Sequence, residues 1–213
     1  MGEHWALFYD LVNKLLFSLV LTRERTIREM TVELAQVRPG EKVLEVGCGT
    51  GNLTIVAKER VGLTGEVYGI EASPEMIKVA RRKAARKRVD IDLRVGLIED
   101  IPFPDDQFDV VLSSFAISHV TDDKRKRDGL GEIRRVLKPG GRLLFVEFEP
   151  PTHPVLRGLA TLVVGYLLGG HVMMQYTVRQ EVPRLEAAGF IDIEAGATNH
   201  WAFAFVRGHV GRA

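Results

Sequence analysis

The sequence predicts an α/β protein built on a doubly wound, mostly parallel sheet of seven strands. Three observations carry that expectation. Strand-like and helix-like segments alternate between residues 42 and 148, and the first strand ends at three glycines spaced Gly47-x-Gly49-x-Gly51. The last stretch carries two short strands suited to an antiparallel edge on a mostly parallel sheet.

Taken in order, His4–Val20 has apolar residues at Trp5, Phe8, Val12, Leu15, Leu16 and Leu19, a helical spacing with a broad apolar face. Thr22 can cap a second helix, Arg23–Gln36, whose Ile27, Met30 and Leu34 form one stripe. Arg38-Pro39-Gly40 ends it and turns the chain into the first strand. Strands are predicted at Lys42–Val46, Glu66–Glu71, Ile91–Val95, Phe108–Ser113 and Arg142–Phe148. Helices are predicted at Leu53–Arg60, Pro74–Arg88 and Asp123–Leu137. Ser73 with Pro74 reads as a cap and a first helical residue, and Lys138-Pro139-Gly140-Gly141 as a stop followed by a turn. An apolar stretch follows, then a helix at Arg179–Ala188 closed by Gly189, and short strands near Ile191–Glu194 and Trp201–Val206. Such a layout binds its ligands at the carboxyl ends of the strands.

Composition narrows the class. The 213 residues are 46 % hydrophobic and 27 % charged with net charge +1, which fits one soluble domain and offers no global field to nucleic acid. No repeat or linker divides residues 1–213, so a single domain is expected. The lone cysteine, Cys48, excludes a disulfide scaffold and a cysteine-rich zinc site; no metal is expected, and a reducing compartment is the natural setting. Glu3 and Asp10 interrupt the stretch where a secretory signal would be apolar. Gly158–Met174 is 17 residues long and uncharged if His171 is neutral, with four glycines. That is short of the roughly 20 residues that span a bilayer. It reads as a buried or interfacial lid, and the expected location is cytoplasmic with peripheral membrane contact at most.

The glycine corner points to the ligand. A strand, a glycine turn and a helix start in that order leave backbone N–H donors open to a bound group. The acidic Glu45 stands inside the strand end, where a phosphate loop would avoid negative charge, so a cationic or sugar-bearing ligand is indicated. The third glycine comes one residue too early for a dinucleotide fingerprint, and the Gly-Lys-Ser/Thr of a P-loop is absent. Glu71 ends the next strand about 20 residues on, where a carboxylate can accept two ribose hydroxyls. Together these features suit an adenosine-containing ligand.

Four segments then stand in a telling order: Glu45-Val-Gly-Cys-Gly-Thr-Gly51, Gly69-Ile-Glu-Ala-Ser-Pro-Glu-Met-Ile77, Ile101-Pro-Phe-Pro-Asp-Asp-Gln-Phe-Asp-Val-Val111 and Arg135-Val-Leu-Lys-Pro-Gly-Gly-Arg-Leu143. They resemble the successive motifs of class I S-adenosylmethionine-dependent methyltransferases, and more closely the type 11 group that includes the quinone-biosynthesis C-methyltransferases. The resemblance covers about residues 40–150. It implies a Rossmann-like methyltransferase fold divided into a helical cover (1–37), a cofactor-binding core (40–150), an apolar lid insert (151–178) and a C-terminal helix with a strand hairpin (179–213). It also implies S-adenosyl-L-methionine as cofactor and S-adenosyl-L-homocysteine as product. Gly47, Cys48, Gly49 and Gly51 would lay backbone against the methionine part, with Glu45 near its ammonium group and Asn52 and Leu53 opening the helix beside it. Glu71 would bind the ribose, Ala72 and Met76 would border the adenine, Ile98 would supply a backbone donor to it, and Ser114 and Phe115 would line the methionine end. The family usually has Asp then Ala where this chain has Leu97 and Ile98. That leaves Glu99, Asp100 or water to receive the adenine amino group.

Methyl transfer is an in-line displacement, so positioning carries much of the rate, and a base is needed only for an acceptor that arrives protonated. Candidates are His119 after the fourth strand, Tyr176 at the end of the lid, and Tyr9; each also has a plain reading as packing or capping. His171 and His200 rank lower, and Cys48 is expected to be a small turn residue rather than a nucleophile. The N-terminal helix and the insert Val155–Tyr176 are both apolar and suit a lipid-like acceptor, a prenylated quinol or a phospholipid amine. Tyr9-Asp10-Leu11-Val12-Asn13 resembles the quinone enzymes. Ser118-His119, where those enzymes carry Arg-Asn, and a shorter Met173-Met-Gln-Tyr176 keep a phospholipid amine or a water-soluble small amine open. A protein of another class, a catalytically silent cofactor sensor or scaffold, would show the same corner. The basic run Lys78–Arg88, seven cations in eleven residues, reads as a solvated helix face able to touch an anionic membrane. No nucleic-acid partner is expected, and the chain is expected as monomer or homodimer.

Overall fold

The computed structural model describes residues 24–150, 153–162, 176–198 and 203–212. The helix expected over His4–Val20, the Thr22 cap, Tyr9, His171, His200 and Trp201 lie outside the described residues.

The elements run α1 (Glu24–Leu34), β1 (Lys42–Val46), α2 (Asn52–Val61), β2 (Glu66–Glu71), α3 (Pro74–Lys87), β3 (Asp92–Val95) and β4 (Phe108–Ser114). A 3-10 turn, Ile117–His119, leads into α4 (Asp123–Val136) and β5 (Leu137–Phe148). Then come α5 (Pro154–Ala160), a second 3-10 turn (Val178–Glu181), α6 (Val182–Ala187), β6 (Phe190–Ala197) and β7 (Phe203–Val210). The seven strands lie in the order β3-β2-β1-β4-β5-β7-β6. β1 to β5 are mutually parallel, and β7 runs antiparallel between β5 and β6. Strand order therefore reverses between β1 and β4, which opens a crevice at their carboxyl ends.

Local chemistry explains the element ends. In β1 every residue after Lys42 is buried, as expected for a parallel strand covered on both faces. The Ser73 hydroxyl accepts the Met76 N–H at 3.3 Å with Pro74 in the first turn of α3, and Asp122 accepts the Arg125 N–H at 2.7 Å at the start of α4. Beyond α4 the chain differs from expectation. Phe108 pairs with Leu137 and Val110 with Arg142, so Lys138–Gly141 is accommodated as a bulge within β5 rather than as a turn before it. The single helix expected at Arg179–Ala188 is instead a 3-10 turn followed by α6, because Pro183 in the first turn of α6 has no N–H for a continuous helix. β6 and β7 are longer than their sequence signals, since β7 is an inner strand with partners on both sides.

Each face of the sheet has its own core. Ile27, Val32, Val43, Val56, Leu112 and Phe148 fill one side, under α1 and α2. Leu44, Ile70, Phe108, Leu130, Ile133 and Phe145 fill the other, under α4. These two layers hold the strand ends in place, and the ends define the site.

Candidate functional site

At the strand-order reversal lies a cavity of about 410 Å³. Its walls come from the ends of β1 (Val46, Gly47, Gly49), β2 (Ile70, Glu71, Ala72) and β4 (Ser113, Ser114, Phe115), with Met76 from α3. Gly96, Leu97 and Ile98 after β3, and Ala116, Ile117, His119, Val120 and Arg125 after β4, complete it.

The glycine turn is shaped by its backbone. Gly47, Gly49 and Gly51 have φ of +74°, +52° and +80°, in the left-handed region that favours glycine. The N–H groups of Gly47 and Cys48 both donate to the Ile70 carbonyl at 2.9 Å, which ties the turn to β2. A Cβ on Gly47 would stand 2.4 Å from the Ala116 Cβ, whereas one on Gly49 would meet only the Met76 sulfur at 3.8 Å. Gly51 packs against Ala80, away from the cavity wall.

Glu71 is fixed from two sides. Its Oε2 accepts the Gly49 N–H at 3.2 Å and its Oε1 accepts the Ser73 N–H at 3.0 Å. A carboxylate offers about four acceptor positions, so two remain for a ligand in the cavity it lines.

Behind the turn, Glu45 is 3 % exposed and accepts the Thr54 hydroxyl. Burial pushes its carboxyl up to about 7; the Thr54 bond and the Arg28 charge oppose this, and Glu71 adds to it. Arg28 is a residue the helical stripe of the sequence concealed. It reaches in from α1, donates to the Ser114 hydroxyl at 2.9 Å and lies 5.2 Å over the Phe115 ring. Phe115 itself holds φ +58°. Asn52 bridges Glu24 (2.6 Å) and Lys83 (2.7 Å), and Leu53 is buried in the core. Both border a small recess with Glu45 and Cys48 on the far side of the turn, so neither lines the main cavity. Burial first, then Glu45 and Glu71, push the Cys48 thiol well up, and it stays protonated.

Two further expectations need correction. Glu99 does not line the cavity: its Oε1 takes the Arg125 Nε at 2.6 Å, and Arg125 is the member of that pair in the wall. Leu97 (43 % exposed) and Ile98 line the cavity with apolar side chains in place of a carboxylate. Tyr176 is not in the wall either. It is buried, donates its hydroxyl to Glu181 at 3.1 Å, and has the Lys126 ammonium 5.3 Å from its ring. Burial, with the Glu181 and Glu147 charges, raises its phenol, the wrong direction for a base. His119 does stand in the wall at the exposed side. Crowding there lowers its imidazole below the usual value, with Glu71 pulling the other way, so it is neutral at pH 7.

Sequence reasoning also missed Ser113 and Glu147. Ser113 is 1 % exposed, lines the cavity, and its hydroxyl has no partner among the described residues. Glu147, at the end of β5, is fully buried and accepts two N–H groups and a hydroxyl from the 3-10 turn that carries His119. Burial lifts its carboxyl to about 7. Only apolar neighbours announced either residue in the sequence.

The pair of raised carboxyls has a thermodynamic consequence. Their folded-state values exceed those of the unfolded chain, so the folded state holds the proton more tightly. Stability from this source is complete below about 4.5 and falls as the pH rises through about 7. His119 works oppositely, but chiefly below its ordinary value of 6.5. Between pH 6.5 and 8 the loss is roughly 1 kcal/mol per carboxyl, and the melting temperature should drop by about 3–6 °C. Calorimetric scans across that range, with Glu45→Gln flattening the trend, test this; a flat wild-type profile contradicts it.

An unfilled hydroxyl, a fixed carboxylate with acceptor positions to spare, a glycine backbone open to close approach and the apolar Leu97 and Ile98 fit an adenosyl group with a charged amino-acid tail. Fold and cavity thus define a nucleoside-binding α/β protein of the methyltransferase type. The family described as "Methyltransferase domain" matches residues 43–141. The ubiquinone/menaquinone biosynthesis C-methyltransferase UbiE of Ectopseudomonas mendocina is 41 % identical over 150 residues, which cover 70 % of this chain and 56 % of that protein. The chain spans a little over half the length of such curated relatives. Among solved structures, a SAM-dependent methyltransferase from Aquifex aeolicus superimposes with a TM-score of 0.70 at 22 % identity, covering 86 % of this chain and 89 % of that one. The [4+2]-cyclase SpnF does so with 0.71 at 17 %, covering 100 % and 97 %. The fold alone therefore does not fix the reaction. The chain is thus similar to the class I S-adenosylmethionine-dependent methyltransferases in sequence over its central part and shares their fold.

Proposed function

We propose that the protein transfers a methyl group from S-adenosylmethionine to a ring carbon of a prenylated quinol. The observation that carries this is the cavity at the strand reversal, whose wall holds both the fixed Glu71 carboxylate and His119. The quinone-biosynthesis name of the relatives at about 40 % identity supports the acceptor class.

When bound, the cofactor supplies an electrophilic methyl group on a sulfonium. The residues of the chain do the rest. Glu71 receives the ribose hydroxyls, and Ala72, Met76, Leu97 and Ile98 enclose the base. Gly47 and Gly49 allow backbone against the amino-acid part, with Glu45 behind the turn and Ser114 and Phe115 closing that end. Neutral His119 would accept a proton from the quinol hydroxyl, which raises the electron density of the ring carbon. That carbon takes the methyl group as S-adenosylhomocysteine leaves, and the ring C–H proton returns to the oxygen to restore the quinol.

Among the described residues no helix is long and apolar enough to cross a membrane. The exposed Lys78, Arg81, Arg82, Arg86, Lys87 and Arg88 give α3 a cationic face through which we infer peripheral contact with an anionic bilayer holding the acceptor.

Incubation with methyl-labelled cofactor and fractionated quinols, phospholipids and amines, the lipids presented in anionic vesicles, tests the reading. Label should enter the prenylated quinol fraction as a ring methyl. Label in a phospholipid or soluble amine would replace the acceptor class. Binding of cofactor without transfer to any fraction would make the chain a sensor.

A further inference from the structure

We propose that Glu147 is a positioning residue for the acceptor side of the cavity, holding the 3-10 turn that presents Ile117 and His119 to it. The inference rests on the methyltransferase reading above. Glu147 pairs with Ala204 of β7 in the sheet and has no exposed surface. Its Oε1 accepts the Ile117 N–H at 2.9 Å and the Ser118 N–H at 3.3 Å, and its Oε2 accepts the Ser118 hydroxyl at 2.8 Å. All three donors belong to one turn, and among the described residues no Lys or Arg pairs with the carboxylate.

That arrangement is costly for stability alone. A buried carboxylate without a cation is normally avoided or replaced by an apolar side chain. Besides the Ile117 side chain packed in the core, the turn closes on itself: the His119 N–H reaches Ala116 and the Val120 N–H reaches Ile117, each at 3.1 Å. The carboxylate thus fixes the orientation of a three-residue segment whose first and last members line the cavity while the middle one, Ser118, faces inward.

Protonation weakens this clamp, because a carboxylic acid gives up acceptor capacity on one oxygen. The titratable groups around it are Tyr176, ahead of the second 3-10 turn, with Glu181, Lys126 and Arg184 bound beyond it, and His119 on the clamped turn. β4 ends in Ser113 and Ser114 and β7 presents Ala204, none of which titrates in this range.

Glu147→Gln should keep S-adenosylhomocysteine affinity within about twofold while turnover falls at least about tenfold, the signature of lost positioning rather than lost binding. The wild type should show an acid limb near pH 7, and Glu147→Gln should lose it. Glu147→Asp, which keeps the charge on a shorter stem, should recover part of the rate. Ser118→Ala removes a donor that favours the ionised form and should move the limb to higher pH. Independently of any acceptor, the Ile117 and Ser118 amide resonances should titrate together near pH 7 in the wild type and not in Glu147→Gln. Wild-type turnover in Glu147→Gln, or cofactor affinity falling in step with turnover, overturns the proposal, as do amides that do not titrate. A wild type that binds no S-adenosylhomocysteine fails the functional reading instead, and the amide titration still decides the clamp.

Discussion

Glu71→Ala should lower S-adenosylhomocysteine affinity by about 100-fold, because two charge-assisted hydrogen bonds to a ligand are worth roughly 3 kcal/mol together. The substitution removes the acceptors for ribose hydroxyls and also frees the Gly49 and Ser73 N–H groups that now hold the carboxylate. The fold should survive, since Glu71 is half-buried at a strand end and outside both cores. Isothermal titration with S-adenosylhomocysteine, alongside a melting curve, separates the two effects. A change under about threefold, less than 1 kcal/mol, would remove Glu71 from the site.

Gly47→Ala is expected to damage both the fold and the cofactor corner. It adds a left-handed backbone cost of about 1–2 kcal/mol and drives a Cβ to 2.4 Å from that of Ala116, so either the glycine turn or the cavity wall must move. Stability should fall by about 2–4 kcal/mol, and cofactor binding should disappear. Gly40 supplies the control: its φ is +85° and an added Cβ would meet only the Thr64 hydroxyl at an ordinary 3.6 Å. Gly40→Ala should therefore show the backbone cost without the clash. Ala116→Gly combined with Gly47→Ala should restore part of the loss in denaturant titrations, and strict additivity would refute the contact.

The parts of this molecule legible in the sequence are those governed by short-range rules. Apolar runs marked β1 and β2 to the residue, Ser73 and Pro74 marked the start of α3, and the glycine spacing with Glu71 marked the corner of the cavity. What stayed hidden depends on partners far along the chain. Arg28 looked like one polar residue beside an apolar stripe until Ser114, 86 positions on, gave it a role. Glu99 was a reasonable acid for the base until Arg125 took it, and Tyr176 a reasonable base until Glu181 and Lys126 drew it inward. Glu147 sits in a strand whose remaining inner positions are apolar, and only the folded turn above it reveals what it binds. Pairing of buried polar groups is a tertiary event, so local pattern carries no record of it.

The place of β7 between β5 and β6 bears on how the chain is made. At ordinary ribosomal speeds of about 5–20 residues per second, β7 leaves the tunnel several seconds after β5, roughly sixty residues behind it. Throughout that interval Leu143–Phe148, apolar except for Glu147, forms an uncovered sheet margin, open to pairing with a neighbouring nascent chain. The cofactor corner, by contrast, is complete in the portion already synthesised. Early ligand capture would then steady the growing domain while its last strand is still on the ribosome, giving cellular cofactor supply a hand in the yield of folded protein.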